Sequence, residues 1–230
     1  MWEHLVELQP QTGASAAGVS REDFISQIAS DVLDRLPVEF DLPKIRRSLN
    51  LDISPTTVVL LQELERFNSL TTRMRRSLVT LKRALAGEVG MSTELDDVAR
   101  SLFNGNIPAI WRRLAPITLK SLGNWIIHYH KRLRQYYHWV NDCEPAVMWL
   151  SGLHIPESYL TALVQATCRK NGWPLDKSTL YTTVTKYTDP EDVTDRAISG
   201  CYVHGLYLEG AAWEVEKKTI MRQPPKQLIQ

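Results

Sequence analysis

One apolar stripe limits the folds open to this chain. Leu60, Leu64, Phe67, Met74, Leu78, Leu81 and Leu85 recur at alternating steps of four and three, and only Thr71 interrupts the apolar set. That spacing is a heptad seam, and a helix carrying it must bury one face along its whole length. Ser54-Pro55 supplies the start. A serine hydroxyl accepts from the unpaired amides of a first turn, and proline at the first helical position gives up no hydrogen bond. Gly87 and Gly90 supply the stop. The pattern predicts one long helix over about 55–86. Its flanks carry Arg66, Arg73, Arg75, Arg76, Lys82 and Arg83, with acids, Glu63 and Glu65, only near its start. A two-chain zipper usually shows both signs of charge at its flanks. The seam is therefore expected to pack on its own chain.

The other elements follow from the same punctuation. GASAAG (13–18) reads as a loop, and Ser20 with Asp23 resembles a capping box that opens a helix ended by Pro37. A short helix is expected near Leu42 to Leu49. Ser92 or Thr93 caps another, with Glu94, Asp96 and Asp97 where a helix dipole favours anions. Asn104-Gly105-Asn106 with Pro108 is a turn. A helix is expected over 116–140, and one from Pro156 to an Asn171-Gly172 stop. After Pro174 the texture changes. Residues 178–188 (STLYTTVTKYT), 200–210 (GCYVHGLYLEG) and 213–221 are strand candidates, rich in β-branched and aromatic residues. The expected fold class is α+β, mainly α: a helical bundle built on the long helix, followed by a partial antiparallel β element. The opening WEHLVELQPQ reads like the middle of a protein. The end, soon after Pro224-Pro225, reads as a stop inside a β element.

Charge is unevenly spread. Residues 1–65 carry a net −6, 66–141 a net +9 and 142–230 a net −2, for an overall +1. The basic third either matches acids inside the chain or meets an acidic partner. Single-strand nucleic-acid binding also combines basic and aromatic residues, as 111–139 does. There, however, Trp111, Leu114, Leu119, Leu122, Trp125, Ile126 and Tyr129 keep helical spacing, which points to a core face. No apolar run approaches the roughly 20 residues of a membrane-spanning helix. Cys143, Cys168 and Cys201 are odd in number and widely spaced, as for free thiols in a reducing compartment.

Chemistry-bearing patterns are sparse. Neither G-x-x-x-x-G-K-[ST] nor G-x-G-x-x-G occurs, and there is no G-x-S-x-G elbow. His128 and His130 are two apart and His138 is eight further on, whereas helical metal ligands want a spacing of four. Asp96-Asp97 are helix neighbours about 100° apart, suited to dipole charge rather than paired catalysis. Ser151, His154 and Glu157 contain the residue types of a triad, without its separation along the chain. No catalytic, cofactor-binding or metal-binding residue is expected. The candidate functional residues are a basic face made of Arg73, Arg75, Arg76, Arg112 and Arg113.

Several long strings resemble dynein heavy chains, most of all the axonemal ones. They are VVLLQELERFNSL (58–70), GEVGMS (87–92), ELDDVARSLFNG (94–105), IPAIWRRLAP (107–116), TLKSLGNW (118–125), 145–181 and GCYVHGLYLEGAAWEVEK (200–217), and they keep the family's order. The resemblance implies three parts. Residues 1–50 would close the sixth AAA+ module, 51–176 would form the helical part of the C-terminal domain, and 177–230 would begin its β-barrel. It implies a non-catalytic element that braces the AAA+ ring and tunes ATP-driven, microtubule-based movement. ATP and Mg2+ would belong to the parent motor. The partners would be neighbouring AAA+ modules and, through the parent, intermediate and light chains and microtubules. No nucleic acid or membrane partner is implied. The location would be the cytoplasm and cytoskeleton, in the axoneme of a cilium or flagellum. The alternative, from charge alone, is a stand-alone helical nucleic-acid-binding or scaffold protein that uses 66–141.

Overall fold

The computed structural model describes residues 20–49, 53–187, 189–206, 210–214, 216–217 and 219–224. The elements are α1 (Arg21–Arg35), α2 (Leu42–Ser48), α3 (Pro55–Leu85), α4 (Thr93–Phe103), α5 (Ala109–Arg112), α6 (Leu122–Asn141), β1 (Val147–Trp149), α7 (Pro156–Asn171), β2 (Tyr202–His204), β3 (Ala211–Glu214) and β4 (Thr219–Arg222). The chain divides into two compact units. One comprises Met1–Leu51 with Leu60–Tyr136, the other Asp52–Val59 with Tyr137–Gln230.

The first unit is organised by the seam. Leu60, Leu64, Phe67, Thr71, Met74, Leu78 and Leu81 are all buried, and Leu70 joins them. Their cover is aromatic. The Phe67 ring stacks on Tyr129 of α6 at 4.8 Å between centroids and meets Tyr136 edge-on at 5.6 Å. Trp111 stacks on Trp125 at 6.1 Å. The seam thus packs on its own chain, as expected. Thr71 keeps its place because its hydroxyl is used twice: it donates to the Phe67 carbonyl at 2.9 Å and lies 2.6 Å from the Tyr129 hydroxyl. A buried hydroxyl without partners would cost about 1–3 kcal/mol, and with them it is tolerated. Separately, α1 meets α4 through an edge-on Phe24–Phe103 pair at 5.9 Å, with Arg21 4.9 Å above the Phe103 ring.

The caps follow the sequence closely. The Ser20 hydroxyl accepts from the Asp23 amide at 3.0 Å and donates to the Asp23 carboxylate at 2.8 Å. Ser54 accepts from the Thr57 amide at 3.1 Å. Ser92, rather than Thr93, caps α4 by accepting from the Leu95 amide. Gly172 ends α7 in the left-handed conformation, φ 66°.

Three expectations need correction. The helix over 116–140 begins only at Leu122, whose amide donates to the Gly105 carbonyl at 2.8 Å and so ties its start to the turn after α4. Residues 178–187 are not a strand, and Thr188 lies outside the described residues. Their β-favouring side chains have little to pack against: Leu180, Tyr181, Val184 and Tyr187 are all exposed. Strand preference is largely a preference for packing on a pleated neighbour, and without one it does not act. The candidate over 213–221 is two strands, β3 and β4. They pair antiparallel with Trp213 opposite Ile220, so this segment supplies its own partner. Of the candidate over 200–210, Tyr202–His204 is a strand.

The second unit contains a pairing that the sequence did not announce. β1 and β2 run parallel, with Val147 opposite Tyr202 and Trp149 opposite His204. This brings together two of the family-like strings. The Trp149 indole then lies against two glycines. A Cβ on Gly152 would fall 2.3 Å from Trp149 Cε3, and one on Gly205 would fall 2.7 Å from both Trp149 Cδ1 and the Ser151 hydroxyl. Gly205 also has φ +79°. Gly205→Ala combines left-handed strain with overpacking and is expected to cost about 3 kcal/mol. Urea unfolding followed by tryptophan fluorescence reads this as a lower midpoint, with a smaller loss for Ala at the open Gly90 position.

Candidate functional site

The candidate face is built on the solvent side of the α3–α6 core, so its geometry begins with the buried polar groups beneath it. Glu63 is fully buried and Arg132 is 4% exposed. The Tyr136 hydroxyl donates to Glu63 at 2.7 Å, and Arg66 approaches the same carboxylate at 3.7 Å. Burial lowers the Arg132 pKa, and the negative potential of Tyr136 and Glu63 opposes that shift. The Trp111 indole donates to Ser77 at 2.9 Å, and the Ser77 hydroxyl donates in turn to the Met74 carbonyl at 2.9 Å. These bonds fix the rotation of α6 and α5 against α3.

The five arginines divide into three settings. Arg75 is turned inward. It donates to the Pro37 carbonyl at 2.5 Å and pairs with Glu39 at 3.4 Å, tying α3 to the acidic N-terminal third. Arg73 and Arg76 line a groove of about 490 Å3, together with Leu42, Glu65, Asn68, Ser69, Thr72 and Leu114. Arg73 has a distant acidic neighbour, Glu94, at 4.0 Å. Arg112 and Arg113 are exposed on and just after α5, directly before the groove residue Leu114. Four of the five therefore present positive charge to solvent, and two of them, Arg73 and Arg76, line a groove that also holds Leu42, Leu114 and one acid, Glu65. Such a face suits an acidic, partly apolar surface.

Other sequence candidates resolve in simpler ways. Asp96 pairs with Arg100 at 2.5 Å, one turn along α4. His138 pairs with Asp142 at 2.8 Å. His128 and His130 are half-buried, and burial lowers the pKa of both. Among the described residues, no group of three potential ligands is placed to hold a metal. Ser151 and Glu157 are both exposed, on a 3-10 turn and on the first turn of α7. The aromatic platform that nucleic-acid stacking needs is committed to the core: Trp111, Trp125, Tyr129 and Tyr136 are 3% exposed or less.

Sequence reasoning missed several residues. Spacing placed Leu119 on the core face, yet it is 103% exposed and Ile117 is 100% exposed. In the second unit Glu144 is a hub: its carboxylate accepts from Thr56 at 2.8 Å and from Tyr159 at 2.6 Å. Arg196 bonds to the Glu144 carbonyl and to Cys143. The hub gathers residues from α3, α7 and the segment before β2, and no local spacing signals it.

Buried tyrosines give the structure an alkaline limit. Burial raises the pKa of Tyr129, Tyr136 and Tyr159 above the usual 10.0, and Glu63 adds to the rise at Tyr136. In the unfolded chain they ionise near pH 10. Their contribution is fully present below that pH and falls as pH rises above it, by up to about 1.4 kcal/mol per pH unit for each tyrosine. Urea midpoints should be flat with respect to these groups below pH 10 and drop above it. Tyr136→Phe should reduce that dependence while costing about 1–3 kcal/mol at neutral pH, because Glu63 loses a donor.

Comparison with known proteins gives a uniform result. The family described as the C-terminal domain of the dynein heavy chain matches residues 1–230. Human dynein axonemal heavy chain 10 is 64% identical over 229 residues, covering 100% of this chain and 5% of that protein. The Chlamydomonas reinhardtii dynein-1-alpha heavy chain of the flagellar inner arm I1 complex is 55% identical, with the same coverage of both chains. The dynein beta chain of the flagellar outer arm from the same alga is 37% identical over 98% of this chain and 5% of its own length.

Proposed function

This chain belongs to the family of dynein heavy-chain domains from the C-terminal end of the motor, and we propose that it acts as a non-catalytic brace within an axonemal dynein heavy chain. The chain spans 5% of the length of the relatives named above. The activity of the whole motor therefore lies largely in sequence beyond these residues. In this reading, residues 1–50 close the sixth AAA+ module, 51–176 form the helical part of the C-terminal domain and 177–230 begin its β part. The parent binds ATP with Mg2+, assembles with intermediate and light chains, and moves on microtubules in the axoneme of a cilium or flagellum. The relatives' names, axonemal and flagellar, support that location.

The observation that carries the bracing role is the exposed basic face. Arg73 and Arg76 line one groove, and the exposed Arg112 and Arg113 directly precede its Leu114 in sequence, on a core locked by buried hydrogen bonds. A rigid, mainly cationic face is suited to docking on an acidic neighbour within the same heavy chain, and neighbouring AAA+ modules are the proposed partners. Arg75 serves the chain's own fold by holding Pro37 and Glu39.

Reversing Arg73, Arg76, Arg112 and Arg113 to Glu in an intact heavy chain should change ATPase rate and gliding velocity at low salt. The difference should shrink as salt rises, because exposed charges are screened beyond about 10 Å at 0.1 M. Unchanged rates at low salt would overturn the reading. Arg75→Glu should instead lower thermal stability.

A further inference from the structure

Residues 116–120 connect α5 to α6 outside any helix or strand. Ile117 and Leu119 both extend fully into solvent, at 100% and 103% exposure. Isolated exposed apolar residues are ordinary, but two complete branched side chains within three residues are a concentrated apolar surface. In this segment the Lys120 amide donates to the Thr118 hydroxyl at 3.2 Å, which gives the backbone a local bond where the side chains leave the core. The charge nearby in sequence is of one sign. Arg112, Arg113 and Lys120 flank the pair, all exposed, and no acid occurs between Val98 and Asn141. The seam does not need these side chains, since α5 and α6 already cover it with Trp111, Leu122 and Trp125.

Resting on the bracing reading, we infer that Ile117 and Leu119 are the apolar anchor of the basic face, and that they seat in an apolar, acid-rimmed pocket of the same heavy chain outside these 230 residues. Two observations select that occupant. The relatives carry about nineteen-twentieths of their length beyond this region, so most of the surface permanently held near the loop is heavy chain. The flanking cations call for acidic groups at the rim, while Ile117 and Leu119 call for an apolar floor. Small apolar anchors inside a charged rim are the usual anatomy of a specific contact. Burying each side chain favours the docked form by roughly tenfold to a hundredfold.

The test uses the intact heavy chain. Hydrogen–deuterium exchange of the amides of residues 117–120 should be slow in the wild type. It should speed up at least tenfold in Ile117→Ser/Leu119→Ser, with exchange over 122–136 unchanged. Both positions are fully exposed in this chain, so that second reading monitors the fold. A photo-reactive benzophenone side chain at position 119 should crosslink to a heavy-chain peptide outside the 230 residues that carries Asp or Glu beside apolar residues. Fast wild-type exchange at 117–120 would overturn the inference. So would a crosslink confined to these residues, to a second copy or to another protein. The arginine reversals are read separately. If they leave motor rates unchanged while the crosslink persists, the basic-face reading fails and the anchor stands. If they change the rates and no crosslink forms, the basic face stands and the anchor fails.

Discussion

The contact between the α3 seam and the aromatic face of α6 is the constraint on which the first unit depends. Phe67 sits between Tyr129 and Tyr136, and the polar edges of this contact are satisfied in pairs: Thr71 with Tyr129, Glu63 with Tyr136, Ser77 with Trp111. Burial of the apolar seam supplies most of the stabilisation, at about 1.5–3 kcal/mol per large side chain. Each neutral hydrogen bond adds only about 1 kcal/mol. Their larger effect is on specificity. A slipped seam would still bury leucine, but it would leave the buried Glu63 carboxylate without the Tyr136 hydroxyl, and an unsatisfied buried acceptor costs about 1–3 kcal/mol, more for a charged one.

That constraint also explains how charge is allotted. Because Trp111, Trp125, Tyr129 and Tyr136 are committed to the seam, Arg112, Arg113 and Arg134 are left to solvent, while Arg132 is taken into the core. The same 66–141 segment that reads as a nucleic-acid surface from composition divides its charge in three dimensions: Arg132 is buried, Arg75, Arg83 and Arg100 pair with Glu39, Glu88 and Asp96, and Arg73, Arg76, Arg112 and Arg113 are exposed. Arg75 shows how fine the division is: it stands one residue from Arg76 and two from Arg73, yet it turns toward Pro37 and Glu39.

Sequence periodicity revealed the elements whose burial is local in the chain. The α3 seam, the Ser20, Ser54 and Ser92 caps and the Gly172 stop all follow from residues within a few positions of one another. It failed where burial depends on distant partners. Residues 178–187 have strand chemistry and no pleated neighbour, so they stay irregular. Val147–Trp149 forms a strand only because Tyr202–His204 arrives beside it. Leu119 keeps helical spacing with the core set, but α6 starts at Leu122 and leaves it outside. Of the candidate face, sequence identified the five arginines. It did not separate the inward Arg75 from the others, because which way a guanidinium turns depends on the neighbouring loop.

The Trp149 cage has a temporal meaning as well as a steric one. Gly152 lies three residues from the indole, but Gly205 belongs to the segment just after β2, far along the sequence. Half of the cage is thus available early in synthesis, and the other half only after α7 and the long irregular stretch have emerged. Parallel pairing across such a separation loses its loop entropy before any contact forms, which makes it intrinsically slow. Until β2 arrives, one face of a large tryptophan and the edge of β1 remain open to other chains. The second unit therefore has a window during biogenesis in which it is most exposed to mispairing, and Gly205 is the residue whose arrival closes it.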